Sequence, residues 1–242
     1  MKCSNAHGLS FTFLDNGSIR CIDMDPIRIS LKPASPFSYA GSNIYLRKHK
    51  PSISCLTLLG PSSNNRFTIH DNQFIAKGEW EGVGYECSLR LSEKSCSWQW
   101  NIALTNHSDE TAVLDLILVQ DVGLKSITSG LINEYYVSHY LERRILHDPI
   151  KGPVICCRQN MKEPTGNPWL MIACDNGAVP PPQMEWISME KVTVRQAFLK
   201  DFTGINYQEN RPVNHPSWHF RKDLLLLQGM AGNTKAGFTQ QP

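Results

Sequence analysis

The 242-residue chain is 41% apolar and 19% charged, with 16 Gly and 15 Pro, a composition that belongs to a folded globular chain rather than a disordered or collagen-like one. Its 24 Lys and Arg against 22 Asp and Glu leave a formal charge of +2, too balanced a field to attract nucleic acid or an anionic membrane surface. The longest apolar runs, Ala112 to Val119 (interrupted by Asp115) and Leu224 to Leu227, are far shorter than the roughly 20 residues of a membrane span. No nucleic-acid partner and no membrane partner are expected.

The opening MKCSNAHGLSFTFLD has one Lys and then polar Ser4, Asn5 and His7, without the uncharged core of a secretory leader, so a cytoplasmic location is expected. Eight cysteines stand at 3, 21, 55, 87, 96, 156, 157 and 174. No C-x-x-C occurs, and a chain this long can bury a core without disulfides, so free buried thiols are the expectation. Cys156 and Cys157 would point to opposite faces of a strand and cannot easily share a metal, so no zinc site is expected.

Two-residue periodicity dominates the first two thirds. Leu9 to Leu14 and Ile19 to Met24 flank Asp15-Asn16-Gly17-Ser18, where Asn-Gly supplies the positive φ of a tight hairpin turn. Further strands are predicted at 27–31, 43–47, 52–58, 66–70, 73–80, 85–91, 97–105 and 112–120. Turn formers separate them, such as Pro61-Ser62-Ser63-Asn64-Asn65 and Glu81-Gly82-Val83-Gly84. Short strands at about 8–12-residue spacing without strong helical stretches predict an all-β fold, a large antiparallel β-sandwich with little helix.

Within Trp98-Gln99-Trp100-Asn101-Ile102-Ala103-Leu104 the two indoles share a face with Ile102 and Leu104. Core packing is favoured over a sugar-stacking groove. Ala112 to Val119 looks like a central strand buried on both faces, and Asp115 within it is expected on an exposed side or bonded to a loop. Residues 133–145 suit a helix or a strand equally. Val154 to Arg158 and Trp169 to Cys174 return to strand character, and Pro180-Pro181-Pro182 reads as an extended spacer. From Ser217 the alternation stops, so the chain divides into a β-sandwich domain over 1–216 and an irregular or truncated tail over 217–242.

Motifs of catalysis are scarce. G-x-G-x-x-G, a Walker loop, G-x-S-x-G and H-E-x-x-H do not occur. His215 and His219 are separated by Pro216, which spoils a helical metal pair. Asp121, Glu134, Glu142 and Asp148 have ordinary carboxylate density. Two basic clusters, Arg47-Lys48-His49-Lys50 and Arg143-Arg144 with His139 and His147, could each hold a phosphate or a carboxylate, though a solvated loop is the simpler expectation.

Val119-Gln120-Asp121-Val122-Gly123-Leu124, followed by Asn133-Glu134-Tyr135-Tyr136-Val137-Ser138-His139-Tyr140, resembles the amino-terminal region of glycoside hydrolase family 94, the former glycosyltransferase family 36. The branch in question contains 1,2-β-oligoglucan phosphorylases and the phosphorylase-like part of cyclic β-1,2-glucan synthases. Gly41 to Arg47 and Lys200 to Tyr207 fall in a compatible order, and the similarity spans Leu9 to Asn210.

This resemblance implies a β-sandwich of the supersandwich, galactose mutarotase-like kind preceding a helical barrel. It also implies inverting phosphorolysis in the full-length family, with phosphate as co-substrate and no other cofactor. The catalytic Asp would belong to the barrel, for which the 25 residues after Ser217 leave no room. The chain is therefore expected to be non-catalytic alone. It is expected to contact a β-glucan or gluco-oligosaccharide, to assemble as a possible homodimer and to expose an apolar docking face. Tyr136 and Tyr140 are candidate sugar-stacking residues, and Arg143 and Arg144 are candidate partners for carboxylate or phosphate. The alternative is a stand-alone carbohydrate-binding or mutarotase-like sandwich, which needs a His and a carboxylate converging in a cleft.

Overall fold

The computed structural model describes residues 1–38, 40–128, 137, 139–149, 152–175, 183–188, 223–229 and 233–239. Eighteen strands are described in chain order: β1 Lys2–Ser4, β2 Leu9–Phe13, β3 Ile19–Met24, β4 Ile27–Arg28, β5 Asn43–Lys48 and β6 Ser54–Thr57. Next come β7 Arg66–His70, β8 Gln73–Trp80, β9 Val83–Leu91, β10 Ser97–Asn106, β11 Leu114–Asp121 and β12 Lys125–Ser126. The last six are β13 Leu141–Asp148, β14 Gly152–Gln159, β15 Trp169–Asp175, β16 Gln183–Ser188, β17 Asp223–Gly229 and β18 Asn233–Thr239.

They form three antiparallel sheets. One runs β1-β2-β3-β4-β12, a second of eight strands runs β13-β14-β15-β18-β10-β9-β8-β7, and a third runs β16-β17-β11-β5-β6. This is the all-β sandwich architecture that strand spacing predicts. Residues 141–145, open between helix and strand on sequence, are strand. The tail differs from its expectation: 223–229 and 233–239 are strands, pairing β17 between β16 and β11 and β18 between β15 and β10. Alternation is a weak guide there because β17 carries four successive leucines, the pattern of a strand covered on both faces. Pro180 to Pro182, Lys200 to Tyr207, His215 and His219 lie outside the described residues.

The hairpin between β2 and β3 shows how local chemistry sets register. Gly17 has φ +80°, and its N–H donates to the Leu14 carbonyl at 3.0 Å while Leu14 N–H donates to the Ser18 carbonyl at 2.9 Å. Asn16 keeps negative φ and its Oδ1 accepts the Ser18 N–H at 3.0 Å, so only the glycine takes the left-handed position. A Cβ on Gly17 would sit 3.1 Å from the Phe67 ring, which adds a packing reason for glycine.

Inner faces of the three sheets meet in one apolar core. Alternate residues Val83, Tyr85, Cys87, Leu89 and Leu91 of β9 are buried, as are Trp98, Trp100 and Ile102 of β10. The indoles are thus core residues. Phe11 meets Trp98 edge-on at 5.4 Å and Trp100 at 6.3 Å, while Phe13 stacks on Phe74 at 4.3 Å. Each large aromatic removes about 150–250 Å² from water, so these rings dominate the adhesion of the first sheet to the second.

Candidate functional site

Asp121 closes β11 and is 6% exposed. Its Oδ2 accepts the N–H groups of Leu31 and Lys32, both at 3.1 Å, and its Oδ1 accepts the Ser42 hydroxyl at 2.7 Å. Ser42 Oγ in turn accepts from Gln120 Nε2 at 2.8 Å. The backbone comes so close at Gly41 that a Cβ there would lie 2.6 Å from the Asp121 carboxylate. Two residues on, Gly123 N–H donates to the Ile29 carbonyl at 2.7 Å. Ile29 and Ser30 still donate to the Ile22 carbonyl of β3, at 2.8 and 3.3 Å, but Leu31 and Lys32 give their N–H groups to Asp121, and β4 ends at Arg28 rather than at Leu31. Asp121 therefore ties both stems of the 33–41 loop to the end of β11.

A second charged group lies on β5 and β11, where Arg47 and Asp115 are cross-strand partners. Arg47 is 2% exposed and Asp115 8%. The guanidinium is bidentate, with Nε to Oδ1 at 2.9 Å and the second nitrogen to Oδ2 at 2.5 Å, and His49 Nε2 stands 3.2 Å from the same Oδ2. Asp115 is buried rather than on an exposed side, and besides His49 just past β5 its partner is a strand residue: placement directly opposite Arg47 lets the two charges neutralise each other while buried. The first basic cluster accordingly holds a carboxylate. His49 and Asp115 touch directly, with the arginine fork already on the acid, so they do not face each other across room for a sugar, as the mutarotase-like alternative would need.

A third group joins β12, β14 and the 161–168 loop. Gln159 Nε2 donates to the carbonyls of Gly123 at 3.1 Å and Val137 at 3.3 Å, and Glu163 Oε2 accepts the Ser126 N–H at 2.8 Å. Gln159 is fully buried and Glu163 is 6% exposed.

Of the residues expected to contact sugar or phosphate, Tyr140, Arg143 and Arg144 are described. Tyr136 lies outside the described residues. Tyr140 is half-buried in the turn before β13, where its carbonyl accepts the Asn160 N–H at 2.9 Å. Arg143 and Arg144 are successive residues of β13, and strand geometry sends them to opposite faces. Arg144 pairs with Glu142 at 2.7 Å on the exposed face. An open depression beside the end of β10 is lined by Val83, Leu104, Asn106, Asp109, Glu110 and Leu114 and includes none of them.

Burial pushes the Cys157 thiol up from its ordinary 9.0 to about 12, with the Arg143 charge opposing, and burial likewise raises Cys3 to about 12. Cys156, on the other face of β14, is half-exposed. Among the described residues no group of three His, Cys, Asp or Glu side chains could hold a metal, and no helix is long and apolar enough to cross a membrane.

On sequence Asp121 stood out as one carboxylate among four and as part of the 119–124 block, and Gln159 and Glu163 did not stand out at all. The one available signal for the clamp was Gly41-Ser42 and Gly123 standing around an acid.

No curated protein matches the chain. One family model does, that of the SOGP N-terminal domain, over residues 12–180. This is a different family from glycoside hydrolase family 94, so the resemblance given above is corrected, and nothing found indicates a portion of a β-glucan phosphorylase. The glycoside phosphorylase and glycosyltransferase activities expected through that resemblance are withdrawn with it. There is a physical reason that block 119–124 misleads. Its Asp, Gln and Gly serve backbone clamping within the fold, so they report how the chain packs and not which reaction it serves. With more than two thirds of its residues matched, the chain belongs to the SOGP N-terminal domain family.

Proposed function

We propose that this domain is a non-catalytic β-sandwich scaffold, whose buried polar groups, among the described residues, are used to hold its own loops and strands in place. The observation that carries this reading is the use made of the buried charges. Asp121 closes the 33–41 loop, Arg47 and Asp115 join two strands, and Glu163 ties the 161–168 loop to β12. Each of these buried acids is already hydrogen-bonded to the fold. The divergence of Arg143 and Arg144 supports the same reading, because a bidentate or paired anion site needs both guanidinium groups on one side.

Titration with inorganic phosphate and with gluco-oligosaccharides, followed by backbone amide NMR, tests the proposal. The scaffold reading expects no saturable shift of the amides around Asp115, Asp121 or Arg143. Saturable binding of either ligand at sub-millimolar concentration, centred on those residues, would overturn it. Replacing the ion pair by Arg47→Met with Asp115→Leu should preserve the fold, since well-packed apolar residues commonly substitute for a buried pair.

A further inference from the structure

We propose that Asn16 is a modification site guarded by its own hairpin: the Asn16-Gly17 pair deamidates while the turn between β2 and β3 is open and is protected while that turn is closed. The inference goes beyond the scaffold reading and does not rest on it. In the reaction hydroxide takes the Gly17 backbone N–H proton, and the nitrogen attacks Asn16 Cγ. A C–N bond forms, the Cγ–Nδ2 bond breaks, and ammonia leaves with a proton from water, giving a cyclic imide. Water then opens the imide at either carbonyl. One product has aspartate at position 16; the other is isoaspartate, whose main chain runs through Cβ. Glycine favours ring closure because it has no Cβ to crowd the attacking nitrogen.

Three features of the closed turn oppose the first step. Gly17 N–H donates to the Leu14 carbonyl at 3.0 Å, and the imide nitrogen carries no hydrogen, so ring closure forfeits that bond. Gly17 is buried beside the Phe67 ring, which an added Cβ would meet at 3.1 Å, so its proton is shielded from hydroxide. Asn16 Oδ1 accepts the Ser18 N–H at 3.0 Å, and Ser18 is buried in turn, which holds the carboxamide in the hairpin. Local opening of a hairpin releases all three restraints at a lower free energy than global unfolding.

The two products differ in whether the hairpin closes again. Aspartate keeps the length of the main chain and an oxygen for the Ser18 N–H. Isoaspartate lengthens the main chain between Leu14 and Ser18. The Leu14 N–H bond to the Ser18 carbonyl at 2.9 Å and the Gly17 bond to Leu14 then do not both re-form with Phe13 opposite Ile19. An opening that ends in isoaspartate is therefore recorded permanently in the fold.

Incubation of the whole chain at mildly alkaline pH, followed by peptide mass mapping, tests this. Asn176-Gly177, the other Asn-Gly pair of the sequence, supplies the reference rate in the chain unfolded by urea. Unfolded, Asn16 should react at a rate like that of Asn176; in the native chain it should react roughly tenfold or more slowly than in urea. Phe67→Leu and Phe67→Ala, which uncover Gly17 to different extents, should speed the native reaction in step with hydrogen exchange at the Gly17 amide. Separated by chromatography, the aspartate product should melt with the unmodified chain and the isoaspartate product below it. Equal rates at Asn16 in the native and unfolded chains overturn the proposal, as does faster exchange at Gly17 without faster deamidation. Coincident melting of the two products also overturns it.

Discussion

The Asp121 clamp predicts a specific coupling between two positions far apart in sequence. Asp121→Ala removes three hydrogen bonds to a buried carboxylate and strands the N–H groups of Leu31 and Lys32. At about 1–3 kcal/mol for each buried group left unsatisfied, the loss should be about 3–5 kcal/mol. Gly41→Ala in the native background drives a methyl to within 2.6 Å of the carboxylate, and overpacking of this kind costs about 1–3 kcal/mol. In the Asp121→Ala background the two nearest obstructing atoms, the carboxyl carbon and Oδ2, are gone and only the Cβ of residue 121, at 2.9 Å, still crowds the methyl, so most of the overpacking is relieved. Gly41 does not have a positive φ, so alanine brings no backbone strain. The double variant should therefore be more stable than the sum of the singles by about 1–2 kcal/mol, within the usual range for contacting residues. Urea unfolding of the four proteins reads this from midpoints at a common slope. Additivity to within about 0.5 kcal/mol would show that Gly41 and Asp121 do not meet, and would refute the clamp.

Asp115→Ala should destabilise the chain by about 3–5 kcal/mol by leaving Arg47 buried without its carboxylate, and calorimetric melting should show most of that recovered in the Arg47→Met, Asp115→Leu pair. Trp100→Ala, at a 2% exposed site against Phe11 and Phe74, should cost about 3–5 kcal/mol by urea unfolding, whereas Arg144→Ala at the exposed end of an ion pair should cost under about 1 kcal/mol. Thiol labelling of the native chain should modify Cys156 well before Cys157, and the order should vanish in denaturant. Because the Cys157 thiol is raised from 9.0 to about 12, the unfolded chain loses this proton first as pH rises. Stability should hold below about pH 9 and decline between 9 and 12, read as a falling melting temperature that Cys157→Ala makes shallower.

The sandwich was legible in the chain because alternation is a one-dimensional record of a two-sided surface. Ile19–Met24, Arg66–His70 and Gln73–Trp80 are strands with the bounds read from periodicity, and Trp98 and Trp100 lie on the buried face that their spacing assigns. Asn16-Gly17 marked its turn for the same reason: the required backbone angles are local. Pairing between distant segments left no such record. Nothing in the neighbourhood of Asp115 announces Arg47, 68 residues away, and nothing near Asp121 announces Leu31 and Lys32. Whether Arg143 and Arg144 converge is decided by the conformation of their segment, for which helix and strand patterns were equally good. Only the folded sheets, by setting which residues face one another across strands, determined that the acids serve as internal ties.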